Sequence, residues 1–519
     1  MTISDLLTLI GILLAIFAFI SEKNREYVFL KFSYTQATLL GVIFFFLHFL
    51  ISYDWWREKF ICLSFFEFEG FPIPSAWAYI ISLTTLLWAI WKIFKGDFPL
   101  SNRERLMKYY EKLLMRNDIA FLSELIEQYH LENVKDFLRA KKSIVIPNET
   151  GMWRIDQPEY SKTYDKIINT APRIYGNDVY HRIILNDTFI DNVTNLNPYL
   201  LASVIQELST EKLKEDDFVN RFLKILTVKK NGNFFREIRD NQNLSEFNAY
   251  ALEESRPILY SLFNDIKVAS INQAWRGIAE QALIEMSEEA KKEYSPLRES
   301  DREKENDTIW GFRITIAIWY FDIMVREAIK QNVNDHMWMY YYRYFLEAIL
   351  NNIDELPYPD SEQNKSTRNF DLIEDIFSKM LDWKDVVIKS KHYDLTECIF
   401  DCMGQCLYEL TISDKLNEND KQYLMNWVWE DLIKSYAQED SNIEKVAVDK
   451  IINRGFEMFK QPSMLFSTTY KAEESKTYLT ALRKLWTDRD TPILTGILKV
   501  RAERFKKEVI DVLFLQNEV

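Results

Sequence analysis

Three apolar runs crowd the first 94 residues, and they constrain the chain more than any other feature. Leu6–Ile20 is interrupted only by Thr8 and Gly11, Gln36–Tyr53 holds one ionisable residue, His48, and Ser75–Phe94 is uncharged until Lys92. Each approaches the roughly 20 residues that cross a hydrocarbon core about 30 Å thick. One such run would read as a buried core helix. Three in succession predict membrane-spanning helices at about 3–20, 36–53 and 75–94, and a transmembrane domain over 1–94. The first run is a poor secretion signal, because no Lys or Arg precedes it and no small-residue cleavage site follows.

Basic residues set an expected orientation. Lys23, Arg25 and Lys31 lie between the first and second runs, and Lys95, Arg103, Arg105, Lys108, Lys112 and Arg116 follow the third. Arg57 and Lys59, between the second and third, are diluted by Asp54, Glu58, Glu67 and Glu69. The basic excess marks the cytoplasmic side. The expectation is a bacterial inner-membrane, multi-pass protein with its N-terminus outside and everything after Phe94 inside. The second loop is itself rich in phenylalanine and predicts an interfacial or re-entrant segment.

Polar and small residues within the runs form stripes. Ser75, Ala78, Ser82, Thr85, Ala89 and Lys92 recur at steps of three and four, so they share one helix face. Ala37, Gly41, Phe45, His48 and Ser52 fall roughly on one face of the second run. Two readings follow. Small residues let helices approach closely in lipid. Alternatively, hydroxyls and His48 line a water-filled path shared by several copies, since polar groups facing hydrocarbon are costly. On the second reading the pore-lining set is Ser75, Ala78, Ser82, Thr85, Ala89, Lys92 and His48.

Beyond residue 94 the chain is predicted to be helical throughout. Only 12 Gly and 13 Pro occur in 519 residues, which leaves few breaks, and 47% hydrophobic residues support a packed core. The expected fold class is all-α: three membrane helices, then a large, irregular, solenoid-like helical region. The expected divisions are a helical stalk at 95–140, introduced by a Ser101/Glu104 capping box, an irregular linker subdomain at 141–200, and a sensor or docking domain at 201–519. Short strands are expected near Ile144–Ile146 and Val179–Leu185. The first 94 residues are nearly balanced in charge, so the formal net charge of −14 belongs almost wholly to this region. Bulk nucleic-acid binding is therefore disfavoured, and only a local pocket would suit an anionic ligand.

One such pocket is suggested by Lys229, Lys230, Arg236 and Arg239 around Phe234 and Phe235, where cations meet rings able to stack on bases. The plainer reading is a solvated basic turn. Trp338, Tyr341, Tyr342 and Phe345 allow the same choice between stacking platform and core, with core favoured by their helical spacing. Cys398, Cys402 and Cys406 recur every four residues along one helix, which suits packing better than zinc. No phosphate-binding glycine loop, nucleophile elbow or paired-histidine zinc motif occurs. The expectation is a non-enzyme with no cofactor and no metal.

A few membrane helices beside a long helical body resemble the membrane effectors of prokaryotic anti-phage defence. The layout is most similar to the effector of the Hailong system. That resemblance implies an oligomeric ion channel gated by a nucleotide or short DNA oligomer that a partner nucleotidyltransferase makes. The expected partners are then the lipid bilayer, further copies of the chain and that ligand. The competing expectation is a membrane-anchored helical scaffold that docks proteins without conducting ions.

Overall fold

The computed structural model describes residues 22–60, 74–95, 98–142, 170–228, 232–246, 252–292, 295–298, 311–333, 337–353, 367–390 and 395–437, with isolated positions near 500. Every regular element among the described residues is a helix. The chain divides into two compact units, Met1–Val193 and Thr194–Val519. The apolar helices and the short helices that follow them fall in the first of these units.

The first unit contains α1 (Glu22–Leu30), α2 (Tyr34–Ile51), α3 (Tyr53–Lys59), α4 (Pro74–Lys95), α5 (Arg103–Met115), α6 (Ile119–Tyr129), α7 (Leu131–Lys142) and α8 (Ala171–Val179). Helix α9 (Asp187–Leu196) crosses the division. Two helices, Tyr34–Ile51 and the Ala76–Ile93 part of α4, are long and apolar enough to cross a membrane. The run Leu6–Ile20 lies outside the described residues.

Local chemistry explains where α2 begins. Ser33 Oγ accepts the Gln36 N–H at 3.1 Å, and Gln36 Oε1 accepts the Ser33 N–H at 3.1 Å. This reciprocal box satisfies two donors that the helix start would otherwise leave open. No such box forms at Ser101. Leu100–Asn102 is a single 3-10 turn, and Asn102, fully buried, turns its amide to the carbonyls of Leu30 and Phe32 at 2.8 and 2.7 Å.

The stalk is not one long helix. Asn117, with φ 58°, separates α5 from α6, and α7 follows directly. The stretch read as a strand near Val179–Leu185 continues α8 as a π turn, Tyr180–Ile184, with Tyr180, Ile183 and Ile184 buried. The strand expected at Ile144–Ile146 lies outside the described residues.

The second unit continues with α10 (Pro198–Glu211), α11 (Asp216–Val228), α12 (Asn233–Glu246), α13 (Pro257–Phe263), α14 (Ile266–Ile271) and α15 (Arg276–Ala290). Its further described helices are α16 (Arg313–Lys330), α17 (Tyr341–Leu350), α18 (Arg368–Ser390), α19 (Thr396–Ile412) and α20 (Glu418–Ala437). Its centre is α16, buried along nearly its whole length. The fully buried Asp322 on α16 accepts Trp383 Nε1 at 2.7 Å, Gln242 Nε2 at 2.9 Å and Arg326 Nε at 2.9 Å. A carboxylate removed from water is tolerated when its lone pairs are filled this way, and here it joins α12, α16 and α18.

Helices α7 and α8 meet so closely that only glycine fits at 176. A Cβ there would stand 2.0 Å from the Asn133 carbonyl oxygen. Gly176→Ala is expected to destabilise the first unit by about 3 kcal/mol or more, as overpacking against backbone does. Gly41→Ala, whose Cβ meets nothing within 4 Å, should instead stabilise α2 slightly, by about 0.5–1 kcal/mol. Thermal unfolding of the two variants beside the parent measures the contrast.

Candidate functional site

Helices α2 and α4 form an antiparallel hairpin. Ala78 is fully buried against Leu47 and Leu50, with Ile43, Ile51 and Ile81 around them. At the other end Phe32, just before α2, meets Trp88 edge-on at 5.9 Å. Outward surfaces are apolar: Val42, Phe44, Leu83, Leu87 and Ile90 are all exposed. In water such a surface would drive association, whereas in a bilayer it matches the solvent.

The stripe on α4 does not behave as a single open face. Ala78 and Ser82 are buried, and Thr85, Ala89 and Lys92 are half-buried. Ser82 Oγ donates to the Ala78 carbonyl at 2.7 Å, so this hydroxyl is satisfied by its own helix and needs no water. Packing within one protomer therefore accounts for Ala78 and Ser82 as pore-lining candidates. Ser75 lies in α4, but its side chain is outside the described residues. By contrast, the stripe on α2 is open: Ala37, Gly41, Phe45 and His48 are all exposed, Phe45 at 69%. His48 lies one turn inside the far end of α2.

The hairpin meets the rest of its unit through a buried collar that the sequence reading missed. Lys31, between α1 and α2, has no exposed surface. Its ammonium donates to the Ile93 carbonyl of α4 at 2.6 Å. It also lies 4.4 Å from the Tyr129 ring centroid, 5.3 Å from that of Tyr27 and 5.9 Å from that of Phe98. The last-turn carbonyls of a helix lack intrahelical donors and carry the negative end of its dipole, so a cation is well placed there. The surrounding ring faces add cation–π attraction, strongest when water is excluded. Orientation-setting charge was legible in Lys31; its burial was not, because of its partners only Tyr27 is near in sequence, and Ile93 lies 62 residues away with Phe98 and Tyr129 beyond it.

Around Lys31 the rings continue. Phe98 stacks on His130 at 5.5 Å, and His130 Nε2 pairs with the Tyr110 hydroxyl at 2.9 Å. Tyr175 donates to the Pro99 carbonyl at 2.8 Å. Burial pushes the His130 imidazole down to about 3, so it is neutral in the folded chain.

In the second unit, Phe234 and Phe235 are buried, with Phe234 packed on Tyr320 at 5.8 Å. They are core residues of α12 and offer no face to a stacked base. Arg236 is exposed and Arg239 is partly so, 4.0 Å from Asp240. Lys229 and Lys230 lie outside the described residues. Trp338, Tyr342 and Phe345 are fully buried, and Tyr342 donates to the Ile318 carbonyl at 2.7 Å. Cys402 and Cys406 are buried, and Cys402 Sγ approaches the Met339 carbonyl at 3.2 Å. Among the described residues no group of His, Cys, Asp or Glu is arranged to hold a metal ion.

Comparison with protein-family models, with curated proteins and with solved structures finds no match to this chain.

Two predictions follow from the collar and the buried acids. Lys31→Met keeps an apolar stem among the rings but loses the ammonium. It is expected to cost about 2–4 kcal/mol and to speed amide exchange over Phe98–Asn102; hydrogen–deuterium exchange reads this.

The second concerns pH. The unfolded chain protonates His130 below about 6.5 and the folded chain only near 3, so the unfolded state holds the extra proton between them. This term makes the first unit lose stability as pH falls through that window, by up to about 1.4 kcal/mol per pH unit. Glu237, pushed by burial up to about 7 despite accepting the Leu259 and Ile258 N–H groups, acts oppositely. The folded state keeps its proton while the unfolded state loses it above about 4.5, so the term weakens the second unit as pH rises toward 7. Unfolding profiles from pH 4 to 7.5 on the parent, His130→Gln and Glu237→Gln isolate the two slopes.

Proposed function

We propose that this chain is an oligomeric membrane effector, with its apolar helices in the bacterial inner membrane and its helical remainder in the cytoplasm as an irregular, solenoid-like sensor. The supporting observation is the bare face of α2. Ala37, Gly41, Phe45 and His48 face outward from the protomer on a helix apolar enough to cross a membrane. Small residues there permit close approach of a second helix. An ionisable side chain on a spanning helix belongs against protein or water rather than lipid. Further copies of the chain supply that surroundings, and the path between them is the ion conduit. His48 then faces the path, joined by Thr85, Ala89 and Lys92 where α4 approaches it.

The N-terminus is placed outside and Lys31 with the α5 cations inside, following the basic excess. The collar would carry motion of the first unit into the hairpin. The trigger in this reading is a nucleotide or short DNA oligomer from a partner nucleotidyltransferase, and the setting is anti-phage defence by membrane depolarisation. Both come from the resemblance in layout, and the burial of Phe234 and Phe235 moves the ligand elsewhere. No enzymatic step is assigned.

One observation favours the membrane-anchored scaffold instead: Ala78 and Ser82 are sealed inside a single hairpin, as a plain tether would have them. Gly41→Cys in a Cys62→Ser background separates the readings. Oxidised membranes should yield a reducible dimer, and full-length protein in vesicles should pass ions when short oligodeoxynucleotides are added. No dimer overturns the oligomer. A dimer without ion flux, with or without the oligonucleotides, leaves the scaffold.

A further inference from the structure

Helix α5 carries Arg105, Lys108, Lys112 and Arg116 at steps of three, four and four, which places four cations on one face. Its acidic residues are on the other flank and engaged: Arg182 reaches Glu104 at 3.3 Å and Glu111 at 2.8 Å. Lys112 is answered by Glu26 at 2.8 Å. Arg105, Lys108 and Arg116 are exposed, and among the described residues none has a carboxylate partner.

The stripe is continuous with the apolar hairpin. The Arg105 guanidinium lies 5.0 Å from the ring centroid of Tyr34, the first residue of α2, and that ring is 67% exposed. Trp91, one turn from the end of α4 and 56% exposed, belongs to the same end of the hairpin. Tyrosine and tryptophan at the end of a spanning helix sit at the headgroup level. Arg105 is therefore held where the apolar surface gives way to water.

We propose that this face of α5, with Tyr34, docks anionic phospholipid headgroups of the bilayer that α2 and α4 enter. The proposal rests on the membrane reading above. Guanidinium and ammonium groups suit a phosphodiester, and arginine adds paired hydrogen bonds to its oxygens. Each cation near an anionic membrane surface contributes about fivefold to the attraction. Continuity with the apolar helices, which hold Arg105 against Tyr34 at the end of α2, favours lipid over a soluble polyanion.

The test uses full-length protein reconstituted in phosphatidylcholine vesicles containing dansyl-labelled phosphatidylglycerol or dansyl-labelled phosphatidylcholine. Energy transfer from tryptophan reports which lipid lies beside the chain. Transfer to the anionic lipid should exceed transfer to the zwitterionic one severalfold. That preference should fall in high salt and vanish in the triple variant Arg105→Gln, Lys108→Gln, Arg116→Gln, whose altered side chains are exposed and leave the core intact. Equal transfer in the parent, or an undiminished preference in the variant, overturns the proposal alone. Protein that fails to float with carbonate-washed vesicles overturns the membrane reading together with it.

Discussion

The buried ammonium of Lys31 joins several parts of the first unit. It fills a last-turn carbonyl of α4 and lies among rings contributed by α1, α6 and the segment leaving α4. A cation taken out of water is held only while such partners stay in place. Sliding α4 along its axis, or tilting it from α6, would break the hydrogen bond and open the ring cluster together. The hairpin end and the helices after it are therefore coupled by one side chain. Asn102 reinforces the joint by filling the carbonyls at the end of α1.

Within the hairpin, packing uses residues that the proposed pore would also need. Small side chains on α4 allow α2 to approach, and the Ser82 hydroxyl is satisfied along its own helix. Burying a hydroxyl without a partner would cost about 1–3 kcal/mol, so this back-bond removes the pressure toward water. The unmet requirement shifts to α2, where Gly41 meets nothing and His48 is open. An aqueous path between copies would thus centre on α2.

Hydropathy made α2 and α4 legible because a spanning helix is defined by local composition. Low glycine and proline content likewise announced helices, and every regular element among the described residues is one. What failed were inferences needing tertiary neighbours. Lys31 resembled any loop cation, since its ring partners Phe98 and Tyr129 are distant in sequence. Phe234 and Phe235 looked like exposed rings because cations flank them, yet both are buried as α12 begins. Val179–Leu185 has the β-branched content of a strand, but helical turns from α8 carry through it. Ser101 and Glu104 have capping-box spacing, but Glu104 is drawn to Arg182 instead.

The collar also explains why a histidine there is tolerated. His130 and Lys31 lie against the same ring, Phe98, at 5.5 and 5.9 Å from its centroid. Both side chains are essentially without water. Removal from water alone disfavours the imidazolium, and protonation would set a second cation against rings already occupied by Lys31. A neutral imidazole instead offers one nitrogen to the Tyr110 hydroxyl, 2.9 Å away, and its face to Phe98. Burial alone thus keeps His130 neutral, and it shares the Phe98 ring with the buried Lys31.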